Sequence, residues 1–444
     1  MPDDVHRIPG LVLTDHRFAV PLNHQRPDGE QITVFGREVV GAEHVDTDRR
    51  STDRADADLP WLLFLQGGPG GAAPRPVDRS GWLGRAVRDY RVLLLDQRGT
   101  GLSSPVNRHT LARLAGPAAQ AEYLAHFRAD AIVSDAELVR RRLTGGTPWS
   151  VLGQSFGGFC LLHYLSVAPD GIREAFFTGG LPPVDGTADD VYRATYRRVR
   201  AKNAAYYARY PGDGALARRI ADHLVHHDVR LPDGSPLTVQ RFQQLGGEFG
   251  GATGFERVHY LLEQAFLDGA AGVGRIPPGA ALSDAFLAGV LSLVSFAAHP
   301  MYALVHEAIY AQASATRWSA ERVRAEYPEF SPDALRLLFT GEMIYPWMFD
   351  VDPTLAPLRD AAHLLAERAD WPRLYDPAAL RNCTVPCAAA IYADDMYVER
   401  DFAEATAALL PRLRVWQTNE YEHDGLRADE RVLDRLIAMA RGLA

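Results

Sequence analysis

Cysteine is scarce in this sequence. Three cysteines occur among 444 residues, namely Cys160, Cys383 and Cys387, and three thiols are too few for a disulfide framework. Cys383 and Cys387 stand four positions apart, but no second pair of ligands lies nearby, so the spacing does not predict a zinc site. Cys160 falls inside a predicted helix and is interpreted as a small core residue.

Long apolar runs and an excess of positive charge are also missing. No uncharged apolar run reaches about 18 residues, and the first ten residues hold no apolar core of a secretory signal. The net charge is −9, which argues against nucleic acid or an anionic membrane as the main partner. The sequence therefore predicts a soluble, cytoplasmic protein with no membrane span.

Phosphate-binding motifs are absent as well. A buried-strand pattern at Leu59–Leu65 runs into the glycine-rich loop Gln66–Gly71, which contains neither G-K-[ST] nor G-x-G-x-x-G. Glycines after an early strand can also let the backbone approach a reacting carbonyl and aim an N–H at it. The segment is therefore interpreted as an oxyanion loop, with a tight structural turn as the alternative.

The stretch Trp149–Ala168 carries the strongest sign of catalysis. Trp149–Leu152 suit a short buried strand, and a G-x-S-x-G motif follows at Gly153–Gly157 with Ser155 in its centre. Apolar residues then recur at helical spacing from Phe156 onward. A sharp turn from strand to helix exposes the serine hydroxyl, and the helix N-terminus favours negative charge. Ser155 is the predicted nucleophile.

The other patterns outline a sheet interrupted by helices. Strands are predicted at Leu11–Pro21, Gln31–Val40, Leu59–Leu65, Tyr90–Leu95, Trp149–Leu152, Ile172–Thr178, Val385–Tyr392 and Arg412–Gln417. One helix is predicted over Ala118–Leu143, and the charged run Glu43–Asp58 is interpreted as a solvated loop. Helical patterns replace strands from about Pro183 to Ala379. We expect an α/β fold, with a mostly parallel central sheet and flanking helices in residues 1–182 and 380–444 and a large helical cap in residues 183–379.

An acid and a base follow two late strands. Asp394 and Asp395 come after the strand that ends at Tyr392, and His423 lies between the last strand and the terminal helix. The order serine, acid, histidine is that of the α/β-hydrolase fold. Histidine can act as base and then as acid, while a carboxylate orients its ring. We predict His423 and Asp395, in preference to Asp394, as partners of Ser155.

Three other polar residues receive structural interpretations. Asp96 and Arg98 follow a buried strand and are interpreted as an ion pair that fixes their loop, with catalysis as the alternative. His163 falls in the helix after Ser155 and is interpreted as a core or cap contact.

Four motifs together give the chain a family resemblance. They are, in order, Gln66–Gly70, Asp96–Ser103, Gly153–Gly158 and His423–Gly425, and they span most of the sequence. The chain resembles the proline iminopeptidases, the prolyl aminopeptidases among the α/β-hydrolase serine peptidases, in their longer form with a large helical cap. It departs from the family at Gln66, where histidine is usual, although main-chain donors can still form an oxyanion hole.

The resemblance implies a serine aminopeptidase that releases N-terminal proline from short peptides or amides through an acyl-enzyme, without metal or cofactor. It implies Ser155, Asp395 and His423 as the catalytic triad. It also implies the backbone N–H groups of Gly67 and Phe156 as the oxyanion hole.

In the family, glutamates of the cap hold the protonated amine of the substrate. The segments Val305–Tyr310 and Gly341–Trp347 match in style, since each places a glutamate beside aromatic residues that suit a proline ring. We therefore expect Glu307 and Glu342 to bind the amine, with Glu263 in reserve. Ion-paired glutamates on helix surfaces are the alternative.

Two other functions stay open on the sequence. The same triad could act on an ester, lactone or amide of a small metabolite, because the cap sets specificity and a fold does not fix function. A non-catalytic binding protein on the same fold is the second alternative. The presence of serine, acid and histidine in the right order argues against it.

Overall fold

The computed structural model describes residues 4–45, 59–267 and 281–444. Most of the charged run Glu43–Asp58, from residue 46 to 58, lies outside the described residues, so its interpretation as a loop stays a prediction. Within the described ranges, no helix combines the length and the apolar character needed to cross a lipid bilayer.

Nine strands of the described chain form one sheet. They are β1 (Asp4–Ile8), β2 (Leu11–Pro21), β3 (Gln31–Gly41), β4 (Trp61–Leu65), β5 (Arg91–Asp96), β6 (Trp149–Gln154), β7 (Ile172–Thr178), β8 (Cys387–Tyr392) and β9 (Leu413–Thr418). Their order across the sheet is β1-β2-β3-β5-β4-β6-β7-β8-β9. Strands β1, β2 and β3 are antiparallel to their neighbours, and the other six strands are parallel to one another. The predicted mostly parallel sheet is confirmed.

The parallel strands other than the edge strand β9 are covered on both faces, which explains their nearly continuous apolar sequences. The face that includes Val151 and Phe177 packs on helices before and after Ser155 and on the helices that follow β7. The opposite face, which includes Phe64 and Leu94, packs on the first and last helices of the chain. Helices on both faces confirm the predicted α/β class.

Helices connect the strands. Those before β7 are α1 (Gly81–Ala86), α2 (Arg108–Leu111), α3 (Pro117–Leu124), α4 (Ala129–Thr144) and α5 (Phe156–Val167). Between β7 and β8 lie α6 (Ala188–Arg209), α7 (Asp213–His226), α8 (Val239–Gln243), α9 (Gly254–Glu263), α10 (Asp284–Val294), α11 (Pro300–Val305), α12 (Ser319–Arg324), α13 (Met348–Val351), α14 (Arg359–Glu367) and α15 (Pro377–Arg381). The chain ends with α16 (Arg400–Ala407), α17 (Gly425–Ala428) and α18 (Glu430–Arg441).

The segment 183–379, called the helical insertion below, interrupts the sheet between β7 and β8. Its described residues contain helices and turns, with only two isolated β-bridges, Arg230 to Pro236 and Phe266 to Leu282. The division into a catalytic domain and a cap domain at these boundaries stays a prediction.

One sequence prediction about the fold was wrong, and one strand was missed. The single helix predicted at Ala118–Leu143 is two helices, because Arg128 adopts an extended backbone between α3 and α4. The buried guanidinium of Arg128 donates hydrogen bonds to the carbonyl oxygens of Ala308 and Ala311, at 3.1 and 2.6 Å, which fixes the break against the helical insertion. Strand β1 was not predicted, because its largely exposed residues lack the alternation of a half-buried strand.

Candidate active site

The candidate nucleophile, Ser155, lies at the sharp turn between β6 and α5. Its backbone has φ 54° and ψ −126°, a strained conformation for a residue with a side chain. The turn is held because Ser155 N–H donates to the carbonyl oxygen of Thr178 at 3.0 Å. The side chain is partly exposed at the N-terminus of a twelve-residue helix.

Glycine is required around this turn because other backbone segments approach it closely. A Cβ atom on Gly157 would overlap the carbonyl oxygen of Leu65 at the end of β4. A Cβ atom on Gly67 would lie 2.8 Å from Cβ of Ser155. The glycine-rich loop after β4 therefore runs directly beside Ser155, where the sequence predicted an oxyanion loop.

The candidate acid and base form a hydrogen-bonded pair. The Nδ1–H of His423 donates to Oδ2 of Asp395 at 2.7 Å, and the backbone N–H groups of Tyr397 and Val398 donate to its Oδ1 at 2.8 and 3.1 Å. Asp395 is 1% exposed, whereas Asp394 is exposed. The geometry thus favours Asp395 over Asp394, because it alone of the two contacts the histidine ring.

The pKa of His423 reflects this pairing. Burial alone would lower the pKa of the ring, but the charge of Asp395 and the hydrogen bond to it raise the pKa above its ordinary value. A carboxylate in this position also fixes the tautomer that leaves Nε2 as the proton acceptor.

The end of β7 brings the serine and the histidine to the same place. A Cβ atom on Gly179 would lie 2.9 Å from Nδ1 of His423, and one on Gly180 would lie 2.8 Å from the carbonyl oxygen of Ser155. Two consecutive glycines therefore separate the turn of the nucleophile from the histidine loop. Because the strands are parallel, their carboxyl ends gather the three predicted residues at one edge of the sheet.

Glu342, one of the two predicted amine ligands, lies beside this group. Its Oε1 accepts a hydrogen bond from the hydroxyl of Tyr302. Burial raises the pKa of Glu342 to about 7, although the Tyr302 hydrogen bond and the nearby His423 act in the opposite direction. A half-buried carboxylate near His423 and Asp395 is thus poised to change charge near neutrality.

Glu307, the other predicted ligand, is engaged elsewhere. Its two oxygens accept hydrogen bonds from the backbone N–H groups of Ser319 and Ala320, at 3.1 and 2.9 Å. These groups belong to the first turn of α12, where donors have no intrahelical partner. Glu307 therefore caps the N-terminus of α12, and its oxygens are not directed to the site that Glu342, Asp395 and His423 form. Glu263, the reserve candidate, is exposed and lies 3.4 Å from His259.

The predicted ion pair between Asp96 and Arg98 was wrong. Buried Asp96 pairs with Arg75, and Arg98 pairs with Asp135 at 2.6 Å. Both residues still anchor the loop after β5, as the structural interpretation held, but each does so through a partner that is distant in sequence. His163 is buried and contacts the carbonyl oxygen of Leu374 in the helical insertion, which confirms its interpretation as a contact residue.

Sequence reasoning missed two tyrosines of the site. Tyr302 lies 40 residues before its partner Glu342, and no local pattern links them. Tyr397 packs edge-on against His423, with ring centroids 4.8 Å apart, and its hydroxyl donates to the carbonyl oxygen of Gly247 in the helical insertion. The position of Tyr397 two residues after Asp395 was the one available signal.

Comparison with known proteins identifies the family. Residues 60–267 match the α/β hydrolase fold model. The chain is 51% identical over 435 residues to a proline iminopeptidase of Aeromonas sobria, with 97% of each chain covered. The chain belongs to the proline iminopeptidase family. It is also 36% identical to a proline iminopeptidase of Aspergillus aculeatus, with 98% of this chain and 95% of that one covered. Near-complete coverage means that the likeness includes the helical insertion as well as the sheet.

Proposed function

We propose that this member of the proline iminopeptidase family is a serine aminopeptidase that releases N-terminal proline from short peptides. Relatives at 51% and 36% identity bear that name. The single observation that carries the proposal is the position of Glu342, a carboxylate near the Asp395–His423 pair. An esterase needs the pair but has no use for a carboxylate that matches a substrate ammonium.

In the proposed reaction, Ser155 attacks the carbonyl carbon of the N-terminal proline. His423 accepts the serine proton on Nε2 and donates it to the departing amine nitrogen, so the scissile C–N bond breaks and an acyl-enzyme forms. Water then attacks the ester with His423 as base, and free proline leaves. Asp395, held by two backbone N–H groups and the ring of His423, stabilises the imidazolium in both halves.

We assign the oxyanion hole to the backbone N–H groups of Gly67 and Phe156. The close approach of Gly67 to Ser155 and the position of Phe156 at the first turn of α5 support this. Preorganised donors at the developing oxyanion contribute about 3–4 kcal/mol each in related chemistry. Main-chain donors also make the reaction independent of the Gln66 side chain.

We assign the substrate amine to Glu342 rather than to Glu307. The pairing of a secondary ammonium with Glu342 would favour the ionised carboxylate, since an opposite charge nearby lowers the pKa of an acid. Tyr302, already bonded to Glu342, would keep that carboxylate oriented. Glu307 is assigned a structural role because α12 occupies its oxygens.

We further propose that the helical insertion acts as a cap that limits the site to chain ends. It touches the oxyanion loop, since a Cβ atom on Gly70 would lie 2.8 Å from the backbone nitrogen of Tyr302. It also reaches the histidine loop, where His423 N–H donates to the carbonyl oxygen of Gly250 at 3.2 Å. A substrate must therefore enter a space bounded by both the sheet edge and the insertion.

The test is the release of a chromophore from proline, alanine and leucine arylamides and from a short acyl ester, with Ser155→Ala as the control. We expect a strong preference for proline that disappears in the variant. Ester cleavage without cleavage of the prolyl amide would favour a hydrolase of small metabolites. Failure of a fluorophosphonate to label Ser155 would favour a binding protein.

A further inference from the structure

Lys202 is the only lysine in the sequence, in which every other basic side chain apart from histidine is arginine. It lies on α6 of the helical insertion and is buried. Its Nζ donates to both carboxylate oxygens of Glu422, at 2.6 Å each. Glu422 directly precedes His423, so this ion pair joins the insertion to the loop that carries the candidate base.

The same helix also reaches the loop of the candidate acid. Arg198, one turn before Lys202, donates from Nε to Oε1 of Glu399 at 3.0 Å. Glu399 is four residues beyond Asp395, and its other carboxylate oxygen accepts the backbone N–H of Asp401 at 2.8 Å, at the start of α16. Two cations spaced by one helical turn therefore hold the two loops whose residues form the Asp395–His423 pair.

The insertion contacts the histidine loop at two further points and the loop of Asp395 at a third. Gly250 accepts the N–H of His423, the N–H of Ala252 donates to Asp424 at 3.1 Å, and Tyr397 bonds to Gly247. The loop is thus oriented by the helical insertion and not by the sheet alone. Among these contacts with the histidine loop, the one from Lys202 is an ion pair.

We propose that Lys202 is a positioning residue, which holds the loop of His423 through Glu422 and neutralises the charge of that carboxylate beside the Asp395–His423 pair. The inference rests on the proposed role of His423 as general base. An ammonium is a compact charge with three donors, which suits two oxygens at equal distance, whereas the planar guanidinium demands a different geometry.

The charges around His423 set the expected pH effects. Asp395 from the loop after β8 and Glu342 from the insertion favour the protonated ring, and Arg427 on α17 disfavours it. Glu422, which faces Lys202, Asp394 and Asp395, adds little net charge while the ion pair exists. Lys202→Met exposes the negative charge of Glu422 and should raise the pKa of His423. Glu422→Gln leaves the ammonium alone and should lower it.

The experiment measures the rate of fluorophosphonate labelling of Ser155 as a function of pH, together with kcat and KM on a prolyl arylamide. The variants are Lys202→Met, Glu422→Gln and the double variant. The matched control is Arg193→Met, which breaks the pair of Arg193 with Glu326 at 2.9 Å on the same helix but away from both loops.

We expect the apparent pKa of labelling to rise by roughly half a pH unit in Lys202→Met and to fall by a similar amount in Glu422→Gln, as expected for one charge several ångströms away in a partly screened site. The double variant should return to the wild-type pKa. In Lys202→Met and in the double variant, kcat should fall roughly tenfold with little change in KM, because misplacement by about 1 Å can cost about 100-fold in rate. The control should match the wild type.

Shifts in the same direction in both single variants, or an unchanged pKa with a loss of folded protein only, would overturn the inference. If Lys202→Met does not fold, Lys202→Arg keeps the cation and should retain the wild-type pKa; a shift there would also overturn it. His423→Ala separates this inference from the proposed function. If that variant labels as fast as the wild type, the assigned base is wrong, whatever Lys202 does.

Discussion

Replacement of Glu342 by glutamine should separate peptidase from esterase activity. The change keeps the shape of the side chain and removes its charge, so a substrate ammonium loses its partner while the Ser155–His423 chemistry stays in place. Truncation of one partner of a desolvated charge pair costs about 3 kcal/mol, or roughly 150-fold. We expect kcat/KM on prolyl arylamide to fall by about this factor, and cleavage of a short acyl ester to change by less than about threefold.

The same substitution should stabilise the protein, and the effect should depend on pH. The pKa of Glu342 is raised from 4.5 to about 7, so the folded state binds its proton more tightly than the unfolded state does. Stability therefore falls as the pH rises from about 4.5 to 7, by at most about 1.4 kcal/mol per pH unit. With allowance for the partial exposure of Glu342, glutamine should add about 1–3 kcal/mol above pH 7 and almost nothing near pH 4.5.

The assay combines steady-state kinetics on the prolyl arylamide and on the acyl ester with thermal unfolding at pH 5 and pH 8. For 444 residues, the unfolding entropy of about 0.9 kcal/mol/K converts the gain into a Tm increase of about 1–3 °C at pH 8. Glu307→Gln is the control, since its carboxylate accepts two backbone N–H groups. It should leave the ratio of prolyl amide to ester cleavage unchanged. Equal losses on both substrates in Glu342→Gln would refute the reasoning.

Substitutions at four further positions have expected outcomes. Tyr302→Phe removes a hydrogen bond that lowers the pKa of Glu342, so the acidic limb of the kcat/KM profile on prolyl arylamide should move to higher pH; a shift to lower pH would contradict this. Asp395→Asn should lower kcat on prolyl arylamide about 10⁴-fold, as does loss of the orienting carboxylate in serine peptidases. In the same steady-state assay, kcat of Asp394→Asn should stay within about twofold of the wild-type value. Gly157→Ala places a Cβ atom on the carbonyl oxygen that ends β4 and should cost about 3 kcal/mol or more, measured by thermal unfolding; a wild-type Tm would show that the turn can relax.

Much of the fold and part of the site could be predicted from local patterns. The parallel strands other than β9 are buried on both faces, so their apolar runs stand out. The predicted strand Ile172–Thr178 matches β7 residue for residue. Ser155, Asp395 and His423 lie in turns or loops that follow parallel strands, so they must meet at the carboxyl edge of the sheet. Their placement therefore needed only the order of the strands and no knowledge of the helical insertion.

The rest depends on contacts between distant segments. Glu307 and Glu342 both stand beside aromatic residues in the sequence. In the structure, however, Glu307 accepts hydrogen bonds from the start of α12, whereas Glu342 accepts one from Tyr302. The prediction for Asp96 and Arg98 was wrong for the same reason. The sequence alone does not distinguish an ion pair between these two neighbours from two ion pairs with residues that are distant in the chain. Only the tertiary fold brings the two partners of each of these contacts together.

The central claim is tested most directly by digestion of an unmodified pentapeptide that begins with proline, beside its N-acetylated copy, with the products identified by mass spectrometry. The account predicts release of free proline and the intact tetrapeptide from the first, no cleavage of the acetylated copy, and no product from either with Ser155→Ala. Cleavage of the acetylated peptide at the same bond, or at internal bonds of either peptide, would contradict an aminopeptidase whose site binds a free amine.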